Sequence, residues 1–314
     1  MEKNLHILPR VADSASFLYI EKAFIEKDDT SVTARAGESI TRIPAASILA
    51  LVLGPGTSIT HAAISALGET GCAVIWAGED SVRFYAAGGG RSRSAAAVMR
   101  QALAWAAPAT RLEVTRRMYR MRFPEPLPAN LTLQQLRGRE GVRVREAYQA
   151  AARATGIEWR GRNYDRSNWA DADPVNRALS AGAACLYGAC HGAIAALGYS
   201  PAIGFIHTGK QLSFVYDVAD LYKIDVLLPA AFEAASNATE RVESAVRRAL
   251  RARIQGTRML ERIARDLPAL FADLTEAGDL DFPPEEMDAG DLVGQLWDPS
   301  GNVDGGVNHA GDDA

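Results

Sequence analysis

A chain of 314 residues and 33.7 kDa exceeds the usual size of one hydrophobic core, so two domains are expected. Apolar content of 48% and charged content of 23% are those of an ordinary soluble protein; there is no run of about 18 apolar residues, and the opening MEKNLHILPR reads as neither a signal peptide nor a membrane anchor. The net charge of −4 hides a division: 13 acidic residues and no basic one follow Arg265, so residues 1–265 carry all 34 basic residues against 25 acidic ones, a net of +9. A basic body of this kind is the electrostatic footprint of a polyanion binder. Of the basic residues 29 are arginine, whose planar fork suits phosphate, although a GC-rich genome favours arginine as well. Cys72, Cys185 and Cys190 form no CxxC pair and leave one thiol over in any disulfide scheme, which fits a reducing cytoplasm.

The segment SFLYIEKAFIEKDDTSVTARA alternates apolar and polar residues around a DD turn, as a hairpin does. ILALVLG and CAVIWAG read as buried strands, and THAAISALGETG between them as a helix closed by Gly71. Gly88, Gly89 and Gly90 form a flexible joint, and from Ala95 onward the periodicity is helical. Leu131 to Gly156 is a helix candidate with Leu136, Val144 and Ala147 on one face and Glu140 on that same face. Arg137 and Arg143 offer Glu140 a structural ion pair; a cation site is the other reading. Gly138 and Gly141 bracket Glu140 at a cost of about 1 kcal/mol each relative to alanine, which suggests either a close approach to the backbone or helix packing.

Further along, GFIHTGKQLSFVYDVADLYKID sets His207, Asp217 and Asp220 in otherwise apolar sequence. Val218, Leu221, Ile224, Leu227 and Leu228 predict a helix from Asp217, with Asp217 as N-cap and Asp220 as the acidic partner of a capping box. The same spacing stacks two carboxylates where they can hold a divalent cation, and both readings stand at this point. Arg247, Arg248 and Arg251 follow in RRALRARIQGTR, where Arg247 and Arg251 share a helix face open either to solvent or to a phosphate backbone. Beyond Gly278 the chain is acidic and aperiodic, which predicts disorder; Leu292, Val293, Leu296 and Trp297 form an apolar cluster within it, of the kind that orders on a partner.

Four blocks carry a resemblance: SVRFYAAG near Arg83, LRGREGVRVR around Glu140, GRNYDRSNW from Gly161 to Trp169, and the run from Ala184 to Asp225. Together they resemble the CRISPR-associated integrase, the catalytic subunit of the spacer-adaptation complex in its type I-E form, over roughly residues 10 to 270. The resemblance implies an α+β multidomain chain: a β-rich N-terminal domain, placed at residues 1–90, then a larger all-α catalytic domain at 91–278, with the acidic tail at 279–314. It also implies that Glu140, His207 and Asp220 bind Mg²⁺ or Mn²⁺ with Asp217 in support. By the same resemblance Tyr164 and Tyr187 lie near the fork or end of the incoming duplex, and Arg83 touches phosphate. The implied partners are a second copy of the chain in a homodimer, a small companion CRISPR adaptation protein, and double-stranded DNA as protospacer and CRISPR repeat, with no membrane.

The implied activity is insertion of short duplexes into a CRISPR array by attack of a 3′ hydroxyl on a phosphodiester, with water as the alternative attacker. Ser58 and Ser65 depart from the family pattern, which has arginines within and after the GPGT turn. Two rival readings remain: a structural DNA-binding subunit with an inactive metal site, and a hydrolase of a small phosphorylated substrate. The second leaves the +9 body without a purpose.

Overall fold

Where two short apolar runs place their alternate side chains decides much of the architecture. It is seen in a computed structural model that describes residues 17–28, 31–45, 48–78, 84–88, 95–162, 173–237 and 241–274. Two four-stranded sheets come first. One is ordered β1 (Phe17–Ile20), β5 (Ala50–Leu53), β7 (Ala73–Ala77), β8 (Phe84–Gly88); the other is ordered β4 (Ser39–Ile43), β3 (Ser31–Ala36), β2 (Phe24–Asp28), β6 (Ser58–Ile59). The hairpin around the DD turn is present as β2 and β3, paired from Phe24↔Arg35 to Asp28↔Ser31. β1 does not belong to it: it runs parallel to β5, from Phe17↔Ala50 to Ile20↔Leu53. ILALVLG and CAVIWAG form the parallel pair β5 and β7, joined by helix α1 (His61–Glu69), which Thr60 caps by accepting the N–H of Ala63. Gly71 follows the helix with φ of 72°, as its place at the stop of the pattern requires.

β5 and β7 are apolar at nearly every position because both faces of their sheet are covered. Leu51, Leu53 and Val74 turn toward α1 and the second sheet, where they meet Ile25, Val32, Ile43 and Leu67. Ala50, Ala73 and Ile75, the alternate positions, turn toward the helical part.

Nine helices are seen among the described residues. After α1 come α2 (Ala96–Ala106), α3 (Pro108–Met121), α4 (Leu133–Thr155), α5 (Pro174–Ala196), α6 (Ser213–Tyr222), α7 (Leu228–Ser236), α8 (Val242–Gly256) and α9 (Met259–Leu270). The strand-rich part followed by helices is the α+β order expected from the sequence. α4 spans nearly the expected range; Thr132 and Gln135 form a capping box at its start, and Gly156 closes it with φ of 70°. α5 starts at Asp173, which accepts the N–H of Asn176 at 2.9 Å, with Pro174 in the first turn. It is long and apolar enough to cross a membrane, but most of it is buried by α6, α7, α8 and the sheet. Gly192 is what lets it settle on the sheet: a Cβ there would stand 2.8 Å from Ile75 Cδ1.

α6 passes into α7 through a π-helical turn, Lys223–Leu227. Pro229 has no N–H for the carbonyl four residues back, so the regular ladder is broken at this place. All the described residues belong to one compact unit. Arg83, Tyr164, Gly89, Gly90 and the expected tail at 279–314 lie outside them.

Candidate active site

The loop between α5 and α6 carries His207, and a single carboxylate shapes it. Asp217 is fully buried on α6, and its Oδ2 accepts the N–H groups of Phe205 at 2.6 Å and Ile206 at 3.1 Å. Its Oδ1 accepts the N–H of His207 at 2.8 Å and faces His207 Nδ1 at 2.7 Å. An ionised carboxylate only accepts, so Nδ1 carries a proton, and in the neutral ring Nε2 keeps its lone pair. That hydrogen bond raises the pKa of His207; burial opposes it, the charges of Asp217 and Asp220 reinforce it, and Arg122 opposes it. Gly204 permits the tight fold of the loop, since a Cβ there would lie 2.3 Å from the carbonyl oxygen of His207.

This corrects the expected helix start. α6 begins at Ser213, four residues before Asp217, and no side chain caps it. Asp217 is therefore interior to the helix, and Asp220 is not its capping-box partner. The apolar stripe extends further back than expected, through buried Phe214 and Val215, and the loop's amides draw the carboxylate inward from the helix.

Asp220 lies one turn further on and reaches a cleft of about 210 Å³ that it shares with Glu140, Arg122 and Lys223. Arg122 joins the two carboxylates: Nη1 donates to Glu140 Oε1 at 3.3 Å, and Nη2 stands 3.6 Å from Asp220 Oδ2. Arg143 adds a bond to Glu140 Oε2 at 3.1 Å, and Lys223 Nζ lies 3.4 Å from Asp220 Oδ1. Glu140 thus has the expected ion pair with Arg143 and a second with Arg122, whereas no pair with Arg137 is seen among the described residues. Gly138 and Gly141 face open space: a Cβ at either would meet nothing within 4 Å. Helix packing within the described chain does not explain them.

Among the described residues no three His, Cys, Asp or Glu side chains are grouped so as to hold a metal ion. Glu140 and Asp220 are brought together, but on the Arg122 guanidinium. The donor chemistry still suits a divalent cation: two carboxylates turned onto one cation, and an imidazole, oriented by a buried aspartate, that feels the charge of one of them.

Tyr187, on α5, packs edge-on against Tyr216 at 5.0 Å, and Tyr216 packs in turn against the His207 ring at 5.8 Å. Burial, and next the charge of Asp220, push the Tyr187 hydroxyl up to about 12, so it stays a donor at neutral pH. Arg247, Arg248 and Arg251 are all on α8, but only Arg248 is exposed. Arg251 lies over the Tyr19 ring at 4.7 Å and ties α8 to β1. Ser65 bonds Glu69 at 3.1 Å on the exposed side of α1.

Sequence reasoning missed Arg122 and Lys223. Lys223 had a readable cue in its i, i+3 spacing from Asp220. Gln101 was missed too: from α2 its amide donates to the carbonyls of Ser200 and Ile203 and accepts the Ser200 N–H, pinning the chain just ahead of His207.

Comparison with known proteins places these features in context. The family model "CRISPR associated protein Cas1" matches residues 17–125 and 121–251. The Thermus thermophilus protein named CRISPR-associated endonuclease Cas1 2 is 56% identical over 311 residues, 99% of this chain and 95% of its own length. The Escherichia coli CRISPR-associated endonuclease Cas1 is 39% identical over 270 residues, 86% of this chain and 85% of its own. A crystal structure of a TtCas1-DNA complex superposes with a TM-score of 0.76 at 58% identity, covering 85% of this chain and all of that one. The chain, with its strand-rich beginning and its helical cleft of paired carboxylates, belongs to the Cas1 family of CRISPR-associated proteins.

Proposed function

We propose that the chain is a metal-dependent DNA integrase and endonuclease that inserts short duplexes into a CRISPR array, a 3′ hydroxyl attacking a phosphodiester. The observation that carries this reading is the convergence of Glu140 and Asp220 on one cation position, with His207, held by Asp217, within electrostatic reach of Asp220. The endonuclease names of the relatives and the DNA bound by the TtCas1 structure support it. Glu140, Asp220 and His207 through Nε2 are the residues to hold Mg²⁺ or Mn²⁺. When bound, the ion supplies charge at the scissile phosphate and activates the attacking hydroxyl or water.

The chain's own residues do the rest. Asp217 keeps the imidazole in one tautomer and one orientation, so His207 serves as a ligand and not as a wandering base. Arg143 and Lys223 keep positive charge beside the carboxylates, where an incoming phosphodiester needs it. Tyr187 offers a hydroxyl donor at the rim, next to the duplex end. Tyr164, Arg83 and, on α8, the exposed Arg248 belong to the DNA-contacting set, and phosphate contacts supply most of the affinity. Residues 1–90 serve dimerisation and DNA contact, residues 91–278 hold the catalytic cleft, and the tail at 279–314 serves assembly with the small companion adaptation protein. The three cysteines, buried and joined by no disulfide, suit work in the reducing cytoplasm.

Replacing Glu140, His207 or Asp220 singly with alanine is expected to abolish Mn²⁺-dependent strand transfer of a 3′-hydroxyl duplex while duplex binding persists. Wild-type integration by a folded Asp220→Ala chain would sink the reading. A non-catalytic DNA-binding subunit is the second reading, because Arg122 already neutralises both carboxylates. It predicts duplex binding with no strand transfer by the unaltered chain.

A further inference from the structure

The Arg122 side chain is only 4% exposed, and two of its donors, Nε and Nη2, are buried without a hydrogen-bond partner. Leaving such donors unmet is costly for a buried cation. What holds Arg122 in place is charge: Glu140 Oε1 at 3.3 Å, Asp220 Oδ2 at 3.6 Å, and the Tyr119 ring with its centre 4.9 Å below the guanidinium. The dependence runs the other way as well. Two carboxylates turned toward one point repel unless a cation stands between them. Arg143 and Lys223 each reach one of the pair; Arg122 reaches both.

We propose that Arg122 is a positioning residue that acts as the resident counter-ion of the Glu140–Asp220 pair, yields that position to the divalent cation, and then presents its unmet N–H edge to a phosphate oxygen of the DNA. This rests on the reading that Glu140 and Asp220 hold the ion. One position cannot serve two cations, so ion binding must loosen the guanidinium. A loosened arginine with Nε and Nη2 both available has the fork that fits two phosphate oxygens. The linkage is reciprocal: Arg122 weakens ion binding in the absence of DNA, and DNA that engages Arg122 strengthens it. Ion and DNA then bind cooperatively, and the cleft assembles fully only when both are present.

The test uses the full chain with Mn²⁺ as probe, following free Mn²⁺ by electron paramagnetic resonance and the thermal midpoint in parallel. Without DNA, Arg122→Gln is expected to bind Mn²⁺ about tenfold more tightly than the unaltered chain. Its midpoint should be lower without Mn²⁺ and rise further on adding it, as ligand linkage requires. Arg122→Lys keeps the charge and should stay near wild type in both measurements. With a short duplex present, Mn²⁺ binding by the unaltered chain should tighten several-fold beyond the sum for protein and DNA alone, and Arg122→Gln should lose that gain.

Equal or weaker Mn²⁺ binding by Arg122→Gln overturns the proposal. Should that variant not fold, absence of any duplex-dependent gain in the unaltered chain overturns it equally. Glu140→Gln separates the two readings. If it leaves Mn²⁺ binding intact, the ion site itself is misassigned; if it abolishes binding while Arg122→Gln changes nothing, only the exchange fails.

Discussion

Both oxygens of Asp217 are committed to donors: three backbone amides and the His207 ring meet them within 3.1 Å. An asparagine there keeps one acceptor oxygen and turns an NH₂ group toward N–H donors. Asp217→Asn is therefore expected to lose about 3 kcal/mol in urea unfolding, where a helix cap would have tolerated the change. His191 gives a pH dependence that can be isolated. Half-buried and stacked on Phe84 at 3.5 Å, it has its pKa pushed down to about 4 by burial. The unfolded chain takes up that proton first, so the stability due to neutral His191 is complete above the ordinary histidine value near 6.5 and is lost as pH falls toward about 4. The urea midpoint of wild type minus that of His191→Gln should decline across that window; a flat difference excludes the assignment. Sequence could not single out Arg122. Five arginines lie between 111 and 122, and which one is buried depends on a carboxylate 18 residues later and on another a whole helix bundle away.

On α4, Gly138 and Gly141 weaken the helix with no packing return within the described chain. Changing each to alanine is expected to raise stability by about 1 kcal/mol, read from denaturant unfolding. A rise in stability coupled to a fall in strand transfer would show that a partner or DNA needs bare backbone there. Elements whose signals are local were legible: β5, β7, α1 and α4 follow from apolar runs, helical periodicity and glycine stops. α6 was misjudged at its start because a buried aspartate bonded to the loop that precedes its helix carries the same letters as a cap. The pairing of β1 with β5, in place of β2, was hidden because period-2 alternation says that a strand exists and not which neighbour it takes.

For the whole molecule, the +9 body predicts duplex affinity that falls steeply with salt. Arg248, exposed on α8, is the arginine of its group best placed for this; Arg248→Ala should weaken binding alike for all sequences and reduce the salt slope by about one. Arg251→Ala should instead cost stability, about 0.5–1 kcal/mol for the lost ring contact with Tyr19. Titrations at several salt concentrations, with unfolding curves alongside, separate the two.

The doubly covered sheet sets what inheritance can do with this chain. Leu51 and Leu53 serve one core while Ala50 serves the other, and Val74 and Ile75 divide in the same way. Deleting or inserting one codon within β5 or β7 would exchange the two allegiances at a stroke, driving Leu51 and Leu53 into the helical core at positions shaped for Ala50 and Val52. Point changes of similar volume leave each side chain with its own core. Descendants of this gene can therefore drift in letter along β5 and β7 but not in length, and a library of single-codon deletions should show the two strands as sharp gaps among the survivors.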